Sequence, residues 1–193
     1  LVDAANAGQN QLVVTNQWVY QVGAVEKRFD VVFVVNGLPL VIGEAKTPTR
    51  SAVTWFDGAF QVNEIYEKQV PAMFVPNVFS FATEGKAFRY GSVRMPLDLW
   101  GPWRTRENEP EGSLADVRRS VESLLQSDVV LDVLQNFTVF ATDKKHRRIK
   151  IICRYQQYFT TNQLVDRVVK GYPKKGLIWH FQGSGKSLLM VFA

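Results

Sequence analysis

The sequence predicts an α/β protein in which a mixed sheet is flanked by helices and followed by the start of a second α/β unit. Stretches rich in β-branched and aromatic residues alternate with stretches of helical periodicity, and a glycine-rich loop near the end lies between a strand-like and a helix-like stretch. With 193 residues, 46% of them hydrophobic, the chain can bury the core of one large or two small domains. This composition excludes general disorder.

The first strands are predicted from β-branched and aromatic runs at residues 12–22 and 29–35. An Asn36-Gly37 pair follows the second run, and this pair favours a tight hairpin turn. The pattern therefore predicts strand, turn and strand over residues 29–46.

The next part of the chain contains one predicted helix and two predicted strands. Apolar residues near helical spacing predict a helix over 53–69, and β-rich runs predict strands over 72–83 and 87–91. Residues 96–112 are rich in Pro, Gly, Trp and charge without either period, which predicts a long surface connection.

Helical patterns resume in the second half, at 113–126 and at 128–140. The basic run at 144–148 is interpreted as a solvated loop, with a DNA-binding patch as the alternative. A helix over 156–170 and a strand over 176–180 complete the prediction.

Composition also excludes several functional classes. The sequence has no apolar run of membrane-spanning length and no signal-peptide pattern, which favours a cytoplasmic protein. One cysteine and two histidines cannot form an internal disulfide or fill a structural zinc site. The net charge of +5 favours an anionic partner. Because the chain lacks an initiator Met and stops within a helical pattern, we expect it to be an internal piece of a longer protein.

Three charged residues stand in or beside the apolar strands of the predicted hairpin. Glu44 and Lys46 project from one face of the second strand because side chains alternate, and the hairpin turn brings Asp30 beside Glu44. Charged groups in such strands are costly unless they are paired or bound to metal. The alternatives are therefore a structural ion pair, exposure at a strand end, or a functional cluster.

The order of these residues resembles the PD-(D/E)xK core of restriction-endonuclease-like proteins. Thirteen residues separate Asp30 from the E-x-K of Glu44 and Lys46, although Phe29 replaces the motif's proline. The resemblance implies a nuclease in which the two carboxylates hold Mg²⁺. It also implies that the lysine stabilises the charge that develops on the phosphate.

Two residues on the following helix are candidates for contacts with DNA and with the lysine. Related nucleases carry a Gln-x-x-x-Tyr motif there, but Gln61 and Tyr66 stand five residues apart in this sequence. Residues at that spacing diverge by about 140° on a regular α-helix. We therefore expect the two side chains to diverge, with Gln61 the stronger candidate and Tyr66 either a site or a core residue.

The glycine-rich loop has the composition of a phosphate-binding loop, although His180 stands where the full pattern has Gly. Backbone N–H groups of such a loop can surround phosphate oxygens, while its lysine reaches the β- and γ-phosphates and its serine hydroxyl ligates Mg²⁺. The candidate nucleotide-binding residues are Gly183, Ser184, Gly185, Lys186 and Ser187. Upstream, Gln156 is favoured over Gln157 as the glutamine that reads adenine, because residues 154–157 resemble the Q motif of helicase-like motors.

The combination resembles the R (motor and endonuclease) subunits of type I restriction-modification enzymes, the HsdR family. Matching phrases include VNGLPLVIGEAKTP at 35–48, FATEGKAFRYG at 81–91 and WHFQGSGKS at 179–187. The resemblance implies Asp30 and Glu44 as metal ligands, with the Ala45 carbonyl as a possible third ligand, and Lys46 as the catalytic lysine.

The same resemblance implies three regions. These are an endonuclease-like domain over 1–95 that lacks its N-terminal part, a linker and helical connection over 96–148, and the truncated start of a RecA-like lobe over 149–193. The implied activity is Mg²⁺-dependent cleavage of unmodified double-stranded DNA, coupled to ATP-dependent translocation in a complex with methyltransferase (M) and specificity (S) subunits. ATP hydrolysis by this chain alone is not expected, because only six residues follow Ser187.

Two alternatives stay open from the sequence. One is a nuclease-helicase of DNA repair, and the other is a DNA-binding module with a degenerate nuclease core. The complete Asp, Glu and Lys set argues against the second alternative.

Overall fold

The computed structural model describes residues 1–142 and 146–193. The predicted basic loop at 144–148 lies partly outside the described residues. None of the helices in the described part has the length and apolar character of a membrane span.

A five-stranded mixed sheet forms the first half of the molecule, as the α/β prediction requires. Neighbouring strands are antiparallel except for the third and fourth, which are parallel, and the spatial order follows the chain. The strands are β1 (Leu12–Val22), β2 (Val25–Val35), β3 (Leu38–Ala45), β4 (Phe79–Thr83) and β5 (Phe88–Gly91).

The predicted hairpin is confirmed, with Asn36 and Gly37 as its two turn residues. Both have positive φ, 49° and 83°, which is the conformation that a type I′ turn requires. Val35 pairs with Leu38 across this turn. The turn sets the register only as far as Val34. A register shift between Phe33 and Val34 then pairs Val31 with Gly43, and it is the turn and this shift together that fix the position of Asp30.

The helix after β3 is interrupted by a π-helical segment. It begins as α1 (Trp55–Phe60), continues as the π-helix Gln61–Tyr66 and ends as α2 (Glu67–Gln69). The strand predicted over 72–83 is wrong in its first half, because a 3₁₀ turn covers Pro71–Phe74 and only Phe79–Thr83 is extended in the sheet. Prolines at 71 and 76 lack the N–H groups that a strand would need there.

The second half is helical apart from one hairpin. The helix predicted over 128–140 ends at Asn136, and the β-branched and aromatic residues after it form a strand whose pairing overrides the helical pattern. The elements are α3 (Leu114–Leu124), α4 (Ser127–Asn136), β6 (Thr138–Thr142), β7 (Arg148–Ile152), α5 (Tyr155–Lys170) and α6 (Lys186–Phe192).

The predicted strand over 176–180 is absent from the structure, where this segment is irregular. It has no neighbouring strand among the described residues, so its backbone groups have no ladder to join. Leu177 and Trp179 are accordingly exposed.

The sheet lies between two apolar clusters. Ile42 and Ala82 face the interrupted helix, whereas the neighbouring Val41 and Phe81 face the helices of the second half.

The connection over 96–112 is not only a surface segment as predicted, because Trp100 and Trp103 are buried. Their large apolar side chains add to the core on either side of the connection.

The cluster that contains Val41 and Phe81 joins the sheet to α5 and the β6–β7 hairpin. The Tyr90 hydroxyl of β5 donates to the Cys153 carbonyl at 2.7 Å, and the ring of Trp103 lies 5.2 Å from that of Tyr158. The early sheet and the later helices therefore share one packed interior.

Gly43, next to Glu44 on β3, leaves space for the ring of Phe81. A Cβ at this position would lie only 2.1 Å from the Phe81 ring, which is itself buried. We expect Gly43→Ala to lower the free energy of unfolding by about 1–3 kcal/mol through overpacking. Urea unfolding followed by circular dichroism measures this loss. Gly8→Ala is the control, since nothing lies within 4 Å of that position. An unchanged stability of Gly43→Ala would contradict this packing.

Candidate active site

Asp30 lies where the pairing of β2 with β3 ends. The last backbone pair is Val31 with Gly43, and beyond it the Asp30 carboxylate takes the place of a backbone acceptor. Its Oδ2 accepts a hydrogen bond from the Ala45 N–H at 3.0 Å. The prediction that the hairpin turn brings Asp30 beside the Glu44 end of β3 is confirmed by this contact.

Glu44 is a buried carboxylate with one free oxygen. Its side chain is 3% exposed, and Oε1 accepts a hydrogen bond from Lys46 Nζ at 2.7 Å. The second oxygen, Oε2, is buried and has no hydrogen-bond partner in the described part of the chain. Burial and, to a smaller extent, the nearby Asp30 charge raise the pKa of Glu44 to about 7, against the lowering effect of Lys46.

Lys46 connects the carboxylates to the helix. Its ammonium donates to Glu44 Oε1 and, at 2.5 Å, to Gln61 Oε1. Because the amide and the carboxylate both accept from it, the charged end of Lys46 is held at one place beside Glu44.

The expectation that Gln61 and Tyr66 diverge is wrong, because the helix is π-helical between them. In a π-helix, residues five apart in the sequence lie about one turn apart and therefore on the same side. The Glu67 N–H accordingly donates to the Val62 carbonyl, five residues earlier. The Gln61 amide donates to the Tyr66 hydroxyl, which in turn donates to the Arg28 carbonyl at 3.1 Å. The inserted residue is therefore absorbed by the helix, and both side chains reach the site.

Tyr66 is at once a core and a site residue. Its ring is buried and packs edge-to-face on Phe29 at 5.0 Å, while its hydroxyl holds Gln61. Burial raises the pKa of Tyr66, and the charge of Glu44 adds to that effect. Tyr66 is therefore a neutral hydrogen-bonding group at neutral pH.

Sequence reasoning missed Gln17, which donates from Nε2 to Asp30 Oδ1 at 3.0 Å. A signal was present, because Gly23 and Ala24 can form a two-residue turn after the predicted strand over 12–22. Pairing Val22 with Val25 across that turn places Gln17 opposite Asp30.

The donor set suits a hard divalent cation. Two carboxylates meet here, and Glu44 Oε2 is a buried oxygen without a proton donor to satisfy it. Mg²⁺ prefers oxygen ligands and keeps several waters, so two carboxylates suffice to hold it. No group of three or more His, Cys, Asp or Glu side chains with metal-binding geometry occurs among residues 1–142 and 146–193.

The glycine-rich loop forms a second candidate site, before α6. Gly183 and Gly185 have φ of 83° and 82°, which favours glycine at both positions. Lys186 Nζ donates to the carbonyls of His180 at 3.1 Å and Phe181 at 3.0 Å. Its ammonium has no carboxylate partner among residues 1–142 and 146–193, and Ser187 beside it is exposed.

The two glutamines of α5 lie differently against this loop. Gln157 is buried and donates from Nε2 to the Gly185 carbonyl at 3.0 Å. Gln156 lines an open cavity of about 550 Å³ together with Tyr155 and Phe181. Gln157 is therefore part of the loop's support, and Gln156 faces space that a ligand could enter.

Comparison with known proteins places the chain in a family. The model of the type I restriction enzyme R protein N terminus matches residues 1–98. The chain belongs to this family. The model of SWI2/SNF2 ATPases matches residues 156–193, which contain the glycine-rich loop.

Individual relatives agree with this assignment. The chain is 32% identical to the type I restriction enzyme HindI endonuclease subunit of Haemophilus influenzae, an alignment that covers 100% of this chain and 19% of the relative. The MjaVIIIP and MjaIXP relatives from Methanocaldococcus jannaschii are provisionally named type I restriction enzyme endonuclease subunits. They are 29% and 27% identical, over 84% and 100% of this chain and over 16% and 20% of their own lengths. The chain thus spans about a fifth of these relatives or less.

Proposed function

We propose that this chain carries the DNA-cleaving site of the R subunit of a type I restriction enzyme. The proposed reaction is Mg²⁺-dependent cleavage of unmodified double-stranded DNA, driven by ATP-dependent translocation in a complex with M and S subunits. The observation that carries the proposal is the meeting of Asp30, Glu44 and Lys46 around one buried, unpartnered carboxylate oxygen. Family membership and the names of the relatives support it.

Asp30 and Glu44 are the proposed holders of the cation, with the Ala45 carbonyl as a further candidate. When bound, Mg²⁺ supplies a Lewis acid to the scissile phosphodiester. Glu44 is largely screened from water, so its negative charge is poorly solvated and gains more from a cation than an exposed carboxylate would.

Lys46 is the proposed electrostatic catalyst. Its ammonium is held by Glu44 and Gln61, so no reorganisation is needed when negative charge develops on the phosphate oxygens. Gln61 and Tyr66 hold Lys46 in place. Gln61 accepts from the ammonium and donates to the Tyr66 hydroxyl, which donates to the Arg28 carbonyl of β2. The helix and the sheet thereby together orient the positively charged side chain of Lys46.

The glycine-rich loop is the proposed start of the motor's ATP site, with the RecA-like lobe extending from residue 149. The match of residues 156–193 to SWI2/SNF2 ATPases supports this part of the proposal. The positive φ of Gly183 and Gly185 lets the loop turn tightly enough for its backbone N–H groups to face a phosphate. Lys186, whose ammonium donates to two backbone carbonyls, can exchange them for phosphate oxygens.

The rate of DNA cleavage by the Lys46→Ala variant tests the proposed function. We expect cleavage of unmodified circular DNA, with ATP and the full-length assembled enzyme, to require Mg²⁺ and to be about 10²–10³-fold slower in the variant at saturating Mg²⁺. The deficit should persist at saturating Mg²⁺, because the proposed role of Lys46 is on the phosphate and is not replaced by filling the metal site.

Lys68→Ala is the matched control, since Lys68 is an exposed lysine of α2 that pairs with Glu64. Its cleavage rate should equal that of the wild type. Cleavage that persists in EDTA would contradict the nuclease proposal, and a higher Mg²⁺ requirement without slower chemistry would contradict the role of Lys46.

A further inference from the structure

Gln17 has a backbone conformation that is unusual for its residue type and place. It stands in the middle of β1 with φ of 52°, in the left-handed region that favours glycine. The strand stays in register on both sides, because Asn16 pairs with Val31 and Trp18 pairs with Phe29. A non-glycine residue in this region costs about 1–3 kcal/mol and persists where something compensates for it.

Burial does not provide that compensation. Gln17 is exposed, so neither packing nor desolvation fixes its conformation. Its side-chain amide instead reaches across to β2 and donates to Asp30 Oδ1 at 3.0 Å. This bond is the contact that accompanies the unusual backbone.

The amide completes a symmetric support for the Asp30 carboxylate. Oδ1 accepts from Gln17 on β1, and Oδ2 accepts from the Ala45 N–H on β3, each at 3.0 Å. Two donors from opposite sides fix the plane of the carboxylate. Each carboxylate oxygen has about two acceptor sites, so one on each oxygen stays open for a cation.

We propose that Gln17 is a positioning residue that orients Asp30 for the divalent cation of the nuclease site. The inference rests on the proposed function, because it assumes that Asp30 is a metal ligand. Gln17 itself contacts neither metal nor DNA in this role. Groups that orient metal-ligating carboxylates contribute about 10–100-fold to metal affinity or activity.

Direct metal binding tests this role. In the full-length protein without nucleotide, Mn²⁺ binding is measured by electron paramagnetic resonance for wild type, Gln17→Met and Gln17→Gly. We expect both variants to bind Mn²⁺ about 10–100-fold more weakly at the nuclease site, since both lack the amide donor. Gln17→Gly should nevertheless unfold at the same or a higher urea concentration than wild type, because glycine adopts the positive φ without strain.

The controls separate the positioning role from other effects. Gln21→Met removes a glutamine of the same strand whose amide donates to the Gly23 carbonyl in the turn, and it should leave Mn²⁺ affinity unchanged. Binding of uncleaved DNA in Ca²⁺ should also be unchanged in Gln17→Met. Wild-type Mn²⁺ affinity in Gln17→Met, or weaker DNA binding with intact Mn²⁺ affinity, would overturn the inference.

Asp30→Asn distinguishes failure of this inference from failure of the proposed function. If Asp30→Asn abolishes Mn²⁺ binding and Gln17→Met does not weaken it, only the role of Gln17 is wrong. If Asp30→Asn also keeps wild-type Mn²⁺ affinity, the metal site itself is wrong, and the positioning role is overturned with it.

Discussion

Replacing Glu44 by Gln is expected to abolish DNA cleavage and, at the same time, to stabilise the metal-free protein. Cleavage is lost because the neutral amide cannot hold the cation. Stability rises because the ionised Glu44 is buried with one oxygen unsatisfied, and burial raises its pKa from the ordinary 4.5 to about 7. That difference corresponds to about 3 kcal/mol of destabilisation when the group is ionised in the folded protein.

The pH dependence of this stability gain distinguishes a buried, costly Glu44 from a carboxylate in an ordinary stabilising ion pair. The pKa of Glu44 is raised on folding, so its cost is fully present above about pH 7. The cost declines as the pH falls and is absent below 4.5, where Glu44 is protonated in both states. The stability gain of Glu44→Gln should therefore be largest at pH 8 and should vanish near pH 4.5.

Urea unfolding in EDTA at several pH values measures this gain, while DNA cleavage and ATP hydrolysis are assayed on the full-length enzyme. Glu122→Gln is the control, because Glu122 pairs with Arg118 on an exposed face of α3 and should show neither effect. ATP hydrolysis should continue in Glu44→Gln, since the glycine-rich loop is untouched. Lower stability of Glu44→Gln at pH 8 would identify Glu44 and Lys46 as a structural ion pair.

The sequence was sufficient to predict that the central charged residues approach one another, because two simple rules bring them to one end of the hairpin. Alternation along β3 places Glu44 and Lys46 on one face, and the Asn36-Gly37 turn folds β2 back along β3 so that Asp30 approaches them. A register shift between Phe33 and Val34 pairs Val31 with Gly43 instead of Ile42, and neither rule predicts it. Both rules act over a few residues. The approach of Asp30 to the Glu44 end of β3 was therefore predicted correctly, whereas the pairing register beside it was not.

The sequence was not sufficient where backbone geometry departs from the regular elements. A regular α-helix separates Gln61 from Tyr66, whereas the π-helix reunites them, and no residue between them signals the change. The positive φ of Gln17 is likewise a local exception to an extended strand. Both departures occur beside Asp30 and Lys46, where contacts within the site outweigh local backbone preference.

Long-range pairing explains the remaining differences in the fold. Residues 138–140 form the end of the helix predicted over 128–140, but they pair with Lys150–Ile152 and belong to β6. Residues 176–180 have the apolar character of a strand, yet they find no partner among the described residues and stay irregular. In both cases the outcome depends on a second segment, which a pattern within one segment does not contain.

Lys186→Ala is expected to stop ATP hydrolysis and, with it, DNA cleavage in the full-length enzyme. The lysine ammonium donates to the His180 and Phe181 carbonyls, and its proposed role is to move from them to the β- and γ-phosphates of bound ATP. Loss of this charge should lower the ATPase rate by at least about 100-fold. Cleavage should fall in parallel, because in the proposed mechanism the nuclease acts only after translocation.

The nuclease site itself should be unaffected by this change, which makes the two halves of the proposal separable. Mn²⁺ binding at Asp30 and Glu44 should equal that of the wild type in Lys186→Ala, whereas Glu44→Gln should lose it and keep ATP hydrolysis. Lys170→Ala is the matched control, since Lys170 is an exposed lysine of α5 that pairs with Asp166. Calorimetry with a non-hydrolysable ATP analogue then measures the phosphate contact directly. Wild-type nucleotide affinity together with wild-type ATP hydrolysis in Lys186→Ala would exclude the glycine-rich loop as the motor's ATP site, and it would leave the assignment of Asp30, Glu44 and Lys46 unchanged.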